Sequence, residues 1–295
     1  MSSESAYRVA VLASGTGTNL QAILDTVHNR DGIEVVAVAS DKPGAMALDR
    51  AADAGIAAEC FTRDGFDSRE TRDEAISGWL AERAPDLVVL AGYMQLLSPA
   101  FIERWRNRIV NVHPALLPAF PGLDAIGQAL DAGVDVTGVT VHFVDEGVDT
   151  GPRIMQRAVP VPADRDRNAL EIAIHSTEHV LLPEAIRLLA AGRVTAERIA
   201  EALASKVDVG GTGVPFADLS ADDARAQGQR LSDVGTWGPL QRVAKVAQAW
   251  KLLAAQMDRD GAGTVADLPG ADVVEHAERL WVIPPPEGLV EGIRG

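Results

Sequence analysis

The runs at 35–39 and 87–91, Val-Val-Ala-Val-Ala and Leu-Val-Val-Leu-Ala, carry no polar residue on either alternating face. A strand with two apolar faces needs cover on both sides, which a sheet open to water on one face does not give. Such runs belong to a parallel sheet between layers of helix. Strand-like segments recur at Tyr7–Ala13, Glu34–Ser40, Ala57–Phe61, Leu87–Gly92, Ile109–His113, Val139–Val144 and Ile154–Val159. Helical patterns fill most intervals, at 42–53, 67–83, 99–104 and 122–132, and a long helix over Leu170–Ala191 closes the series. Pro183 is expected to kink that helix or divide it in two. The fold class is α/β: a doubly wound, mostly parallel sheet whose ligands bind beyond the carboxyl ends of its strands.

Composition narrows the function. The 295 residues suffice for one large or two modest domains, and 47% hydrophobic with 23% charged residues excludes wholesale disorder. A single cysteine, Cys60, excludes a disulfide framework and a cysteine zinc cluster, and a reducing cytoplasm is the simple reading. The formal charge of −15 does not draw in nucleic acid through the overall field. No apolar run reaches the roughly 18 residues of a membrane span. Met1–Ser5 carries no basic segment before its short, strand-like apolar stretch, so no signal peptide is expected.

Between the first strand and helix lies Ser14-Gly15-Thr16-Gly17-Thr18-Asn19. Its glycines permit tight curvature, and its backbone donors can meet an anion at the helix N-terminus. An ordinary glycine turn capped by Thr18 or Asn19 is the plain alternative. A dinucleotide site is a rival supported by Asp41 near the end of the second strand, but Leu20 follows where the third glycine of that fingerprint is needed. The Lys-Ser/Thr ending of a Walker phosphate loop is absent.

The richest chemistry is in Asn111-Val112-His113-Pro114-Ala115-Leu116-Leu117-Pro118-Ala119-Phe120-Pro121-Gly122. Strand alternation puts Asn111 and His113 on one face at the end of a strand. An amide and an imidazole together can meet a developing oxyanion, and histidine can also exchange a proton near neutral pH; structural hydrogen bonding is the competing reading. A shaped loop, Asp145-Glu146-Gly147-Val148-Asp149-Thr150-Gly151-Pro152, follows the strand at 139–144, and its Asp149 can orient His113 or relay a proton through water. His142 sits on the alternate face from Val141 and Phe143 and is left outside the catalytic set. No ligand spacing calls for a metal.

Taken in order, the glycine loop with Leu20–Ile23, Gly92-Tyr93-Met94 with Leu96-Leu97-Ser98-Pro99, the 111–122 segment and residues 138–152 resemble the phosphoribosylglycinamide formyltransferase family over residues 7–192. The resemblance implies transfer of formyl from 10-formyltetrahydrofolate, a consumed cosubstrate, to the amine of glycinamide ribonucleotide in purine biosynthesis, with no metal required. It implies a catalytic trio of Asn111, His113 and Asp149. Gly15, Gly17, Thr18 and Asn19 are implied at the ribonucleotide phosphate, and Glu178 at the glycinamide nucleotide. Arg69 is a positional candidate for an anionic substrate group. The folate pocket is implied near Met94, Leu96, Leu97 and Val144, with the loop from Asp145 and Glu146 to Asp149. Some members carry a basic residue where this chain has Ala119, so no phosphate contact is assigned there. His175 shares a helical face with Glu178 at i,i+3 spacing. A formyltetrahydrofolate hydrolase and a noncatalytic nucleotide-binding module are the alternatives.

The expected division is a catalytic domain over 1–204 and a mainly helical extension over 205–295, opened by the glycine break Val209–Gly213. Val243, Val246, Trp250, Leu253 and Met257 form an apolar helical stripe, and Trp237 and Trp281 add apolar area. Ile283–Gly288 reads as a turn or an exposed recognition segment. The extension is expected to serve stability or assembly, in a monomer or homodimer.

Overall fold

The computed structural model describes residues 6–204, 206–207, 214–233 and 241–279. The chain divides into two compact units, 1–191 and 192–295. The first is built on a seven-stranded sheet. Its strands are β1 (Tyr7–Leu12), β2 (Ile33–Ser40), β3 (Ala57–Cys60), β4 (Leu87–Leu90), β5 (Ile109–His113), β6 (Val136–Phe143) and β7 (Arg153–Pro160). They lie in the order β3-β2-β1-β4-β5-β6-β7. The first five pair in parallel, and β6 and β7 add on antiparallel. The doubly wound, mostly parallel sheet expected from the apolar runs is present. All four residues of β4 are buried, as a central strand covered on both faces requires.

The helices of this unit are α1 (Thr18–Thr26), α2 (Met46–Asp53), α3 (Arg69–Ala81), α4 (Pro99–Arg104), α5 (Ala125–Asp131) and α6 (Arg167–Ala190). From β1 the chain winds to β2 and β3 on one side, then crosses back to β4 on the other. The loops leaving β1 and β4 therefore part from each other, opening the crevice where such sheets take ligands. Trp105, Phe101, Tyr93 and Leu97 pack under this end with Leu12 and Leu90.

Pro183 does not divide α6, which runs as one helix from Arg167 to Ala190. The proline is itself buried, with Leu181, Leu182, Ala185 and Ile186 on either side. Burying three large aliphatic side chains at roughly 1.5–3 kcal/mol each outweighs the ~3 kcal/mol that an interior proline costs.

In the second unit, α7 (Ala196–Ala204) packs on α10 (Gly270–Arg279) and on the short turn Phe216–Asp218. This moves the boundary from the expected 204/205 to 191/192. The cause is local: Ile199 and Ala202 form a buried face that needs the later elements for cover. The short strands β8 (Lys206–Val207) and β9 (Val214–Pro215) pair antiparallel, and α8 (Ala221–Asp233) packs along α9 (Gln241–Asp260). Trp250, Leu253 and Met257 of the apolar stripe are buried, while Gln248 and Lys251 are exposed. The side chains of Val243 and Val246, together with Val209–Gly213, Trp237, Trp281 and Ile283–Gly288, lie outside the described residues.

Candidate active site

Register builds the centre of the site. In the antiparallel β5–β6 pair Asn111 lies opposite His142 and His113 opposite Thr140. Directly opposed residues share a face, so Asn111, His113 and His142 converge. Asn111 Nδ2 lies 3.2 Å from His142 Nε2. His142 is the residue that alternation within one strand leaves aside; the signal that finds it is the pairing of the two strands.

Asp149 completes the group from the loop between β6 and β7. Its Oδ2 lies 3.4 Å from His113 Nδ1, and its Oδ1 lies 3.5 Å from both His142 Nε2 and Asn111 Nδ2. Three features shape this loop. Asp149 adopts a left-handed backbone at φ 56°. The Asp145 carboxylate accepts from Gly147 N and Thr150 Oγ1, so it folds the loop that the sequence assigned it to line. At Gly151 a Cβ would sit 1.9 Å from the Phe143 carbonyl oxygen, which leaves room for glycine alone.

The 114–122 segment holds the other side. Gly122 N donates to Asp149 Oδ2 at 2.8 Å, and His113 Nε2 donates to the Phe120 carbonyl at 2.8 Å. Thr140 Oγ1 donates to Ala115 O and accepts from Leu117 N, fixing the start of the segment. A carbonyl can only accept, so Nε2 of His113 carries its hydrogen and Nδ1 is the atom turned to Asp149. By the same logic His142 Nδ1 donates to Phe143 O, and its Nε2 receives one N–H of Asn111.

Burial pushes His113 below the usual imidazole value, partly opposed by the Phe120 carbonyl and the Asp149 charge. For Asp149 burial acts upward. The adjacent His142 ring, the Gly122 N–H and His113 overcome it and hold the carboxyl below the ordinary range. Near neutrality the pair is thus a neutral imidazole facing an ionised carboxylate. A proton delivered between them has two acceptors already in place.

The group opens on a cleft of about 1420 Å³. Met94, Leu96, Leu97 and Val144 give it an apolar wall; Arg69, Asp145 and Glu146 also line it, and His175 enters from α6. Met94 and Leu96 are respectively 64% and 66% exposed, which leaves apolar surface in the cleft for a ligand to cover. Arg69 is paired with the adjacent Glu70 at 3.2 Å. The loop bearing Met94 is tied to the glycine loop, because Ser14 donates its N–H to Gly92 O and accepts from Met94 N.

Gly15, Gly17, Thr18 and Asn19 are not among the residues lining this cleft. They form the turn into α1, where Gly17 is left-handed and no side chain caps the helix. Asn19 and Glu178 are brought together: Asn19 Nδ2 donates to Glu178 Oε2 at 2.8 Å, with both residues buried. Asn19 Oδ1 is buried without a partner, an acceptor to which a ligand hydroxyl or amine can donate. Burial raises the Glu178 carboxyl, opposed by the Asn19 bond and by His175, one turn away.

A family model described as formyl transferase matches residues 7–186. The chain belongs to the formyl transferase family. Phosphoribosylglycinamide formyltransferase of Escherichia coli is 43% identical over 187 residues, which cover 63% of this chain and 88% of that protein. The trifunctional purine biosynthetic protein adenosine-3 of Drosophila melanogaster is 48% identical over 195 residues, 65% of this chain but only 14% of that much longer protein. Among solved structures, glycinamide ribonucleotide transformylase 1 from Symbiobacterium toebii superposes with a TM-score of 0.62 at 48% identity, over 64% of this chain and 89% of that one. The formyl transferase resemblance read from the motifs is thereby established, and the family model falls on the first unit. Among the described residues no group of three or more His, Cys, Asp or Glu side chains is placed to hold a metal ion. Nor is any helix among the described residues long and apolar enough to cross a membrane.

Proposed function

We infer that this formyl transferase moves the formyl group of 10-formyltetrahydrofolate onto the primary amine of glycinamide ribonucleotide, yielding formylglycinamide ribonucleotide and tetrahydrofolate in cytoplasmic purine biosynthesis. The observation that carries the reading is the convergence of Asn111, His113 and Asp149 on a cleft with one apolar wall. A flat pterin suits the face of Met94, Leu96, Leu97 and Val144. The ribonucleotide suits the far side, where His175, Glu178 and Asn19 meet the glycine loop.

Bound 10-formyltetrahydrofolate supplies an electrophilic formyl carbon. The amine lone pair forms the new C–N bond, the carbonyl electrons pass to oxygen, and the bond from carbon to N10 of the folate then breaks. One N–H of Asn111 is held by His142, whereas the other has only the long 3.5 Å contact to Asp149. That second N–H is the donor available to the oxygen as it gains charge. The N–H of His113 is committed to Phe120, so this histidine acts at Nδ1 as the proton acceptor for the attacking nitrogen. Asp149 stabilises the imidazolium so formed, and the same proton is then available to N10. Positioning of both substrates in one cleft supplies the remaining advantage.

The test is a formyl-transfer assay with glycinamide ribonucleotide and 10-formyltetrahydrofolate that follows both products. Equimolar formylated nucleotide and tetrahydrofolate is the expected result. Release of free formate at the same rate with or without the nucleotide would identify a hydrolase instead.

A further inference from the structure

Three successive peptide units shape the glycine loop, and their carbonyls are held in different ways. Gly15 O accepts from Ala47 N at 3.3 Å, and Gly17 O accepts from Gln21 N at 2.8 Å. These two restraints are backbone to backbone. The carbonyl between them, Thr16 O, accepts from the side chain of Arg50, whose Nε is 2.8 Å away. The Nη1 of the same guanidinium donates to Gln21 Oε1 at 2.7 Å, and Gln21 in turn donates to Asp25. Arg50 stands on α2, outside the family motifs read from the sequence.

A trans peptide is planar, with its C=O and N–H pointing in opposite directions. Fixing the carbonyls of Gly15, Thr16 and Gly17 toward α2 and α1 therefore aims the N–H groups of Thr16, Gly17 and Thr18 the other way. Together with the uncapped first turn of α1, this makes a cradle of donors. Gly17, at φ 68°, is also the weak point of the cradle. Glycine populates both signs of φ, so rotation of the 16–17 peptide meets little local resistance. A rotated peptide would turn the Thr16 oxygen toward the anion in place of the Gly17 N–H.

We propose that Arg50 is a positioning residue for nucleotide binding: it holds the 16–17 peptide in the donor-out orientation that a phosphate needs. The inference rests on the reading of the glycine loop as the phosphate cradle. Arg50 has no carboxylate partner among the described residues. Its two bonds go to neutral oxygens of the structure it shapes. It acts through the loop and takes no part in the chemical step.

The experiment compares wild type, Arg50→Ala and Arg50→Lys by binding and kinetics, with backbone amide exchange of residues 15–19 measured without ligand and with glycinamide ribonucleotide. In the alanine variant the dissociation constant and KM for the nucleotide should rise roughly tenfold, as loss of one charge-assisted hydrogen bond implies. Folate affinity and kcat at saturating nucleotide should stay within about twofold. Exchange of the ligand-free loop amides should quicken. Lysine keeps the charge but cannot place donors on Thr16 O and Gln21 Oε1 in the same planar fork, so it should resemble alanine. Wild-type nucleotide affinity in the lysine variant would show a role of charge alone and overturn the proposal. So would unchanged affinity in the alanine variant, or lost affinity with unchanged loop exchange. If the nucleotide leaves the wild-type loop amides unprotected, the cradle reading itself falls; ligand-free exchange still reports separately on whether Arg50 pins the loop.

Discussion

His113 lies in a conflict of forces that fixes how it should titrate. Burial depresses its basicity, while the Phe120 carbonyl and Asp149 partly restore it. Because it must be neutral to accept a proton, kcat/KM, once corrected for titration of the substrate amine, should fall on the acid side only as pH drops through a value below the ordinary histidine pKa of ~6.5. Asp149→Asn removes a charge that favours the imidazolium, so the acid limb should move lower still while kcat falls. An acid limb above 6.5 in the wild type would refute this assignment. Alanine at Asn111, His113 or Asp149 should each lower kcat by roughly a hundredfold to ten-thousandfold with the fold retained, checked by circular dichroism beside the assay. His142→Ala should cost less, about tenfold, because it touches the reaction only through Asn111 and Asp149. Loss of the His142 ring beside it should also bring the Asp149 carboxyl up toward the usual range, which a carbon-13 titration of that side chain can read. Asn111 and His113 were legible in the sequence because two residues on one strand share a face by simple alternation. His142 was not, because its place depends on which strand lies beside β5 and in which direction, and neither is written in local spacing.

At the scale of elements, the apolar runs at 35–39 and 87–91 were enough to foretell a parallel sheet covered by helices, since burial on both faces leaves a direct mark on composition. Breaks were harder to read. Pro183 suggests an interruption on local grounds, yet α6 continues through it on the strength of its buried neighbours. The glycine loop was legible as a tight turn, but the reason for glycine at 17 lies in packing against α2. A Cβ there would come 2.8 Å from Ala47 Cα, on a backbone already at φ 68°. Gly17→Val should therefore weaken nucleotide binding at least tenfold and change folate affinity little; equal loss of both affinities in a folded variant would count against a local phosphate site. Helix pairing in the second unit gives another test. His276 Nε2 donates to Gln256 Oε1, and Gln256 donates to the Asp272 carboxyl, joining α9 to α10. Burial, then the charges of Glu275 and Asp260, raises Asp272 to about 6 despite Gln256 and Arg259. A folded value above the unfolded ~3.9 means that the folded state holds the proton more tightly. Stability is thus fully present below pH ~4 and declines as pH rises through 6, by on the order of 2–3 kcal/mol. Denaturation of wild type and Asp272→Asn across pH 4–7 should show this loss in the wild type alone.

For the whole molecule the question is what the second unit contributes to the first. Every residue assigned to the reaction or to its substrates lies between Gly15 and Glu178, inside the unit that ends at Ala191. That unit has its own core, in which Leu12, Leu80, Val88 and Ile109 are fully or almost fully buried. A chain cut after Ala191 should accordingly fold and transfer formyl with kcat and both KM values within about threefold of the full protein. A cut after Ala204 keeps residues 192–195 and all of α7 but removes the elements that cover it. Ile199 and Ala202 of α7, each buried in the intact unit, would then lose the cover of α10 and the Phe216–Asp218 turn. Leaving a large aliphatic side chain such as Ile199 uncovered forfeits roughly 1.5–3 kcal/mol, and an isolated nine-residue helix does not hold its form in water. The longer fragment should therefore be the worse behaved of the two, with more dye binding, lower solubility and rapid amide exchange over 196–204. Equal behaviour of the two fragments would place the boundary elsewhere. A folded 1–191 chain that binds both substrates normally yet loses the chemical step would require the second unit to supply part of the active centre.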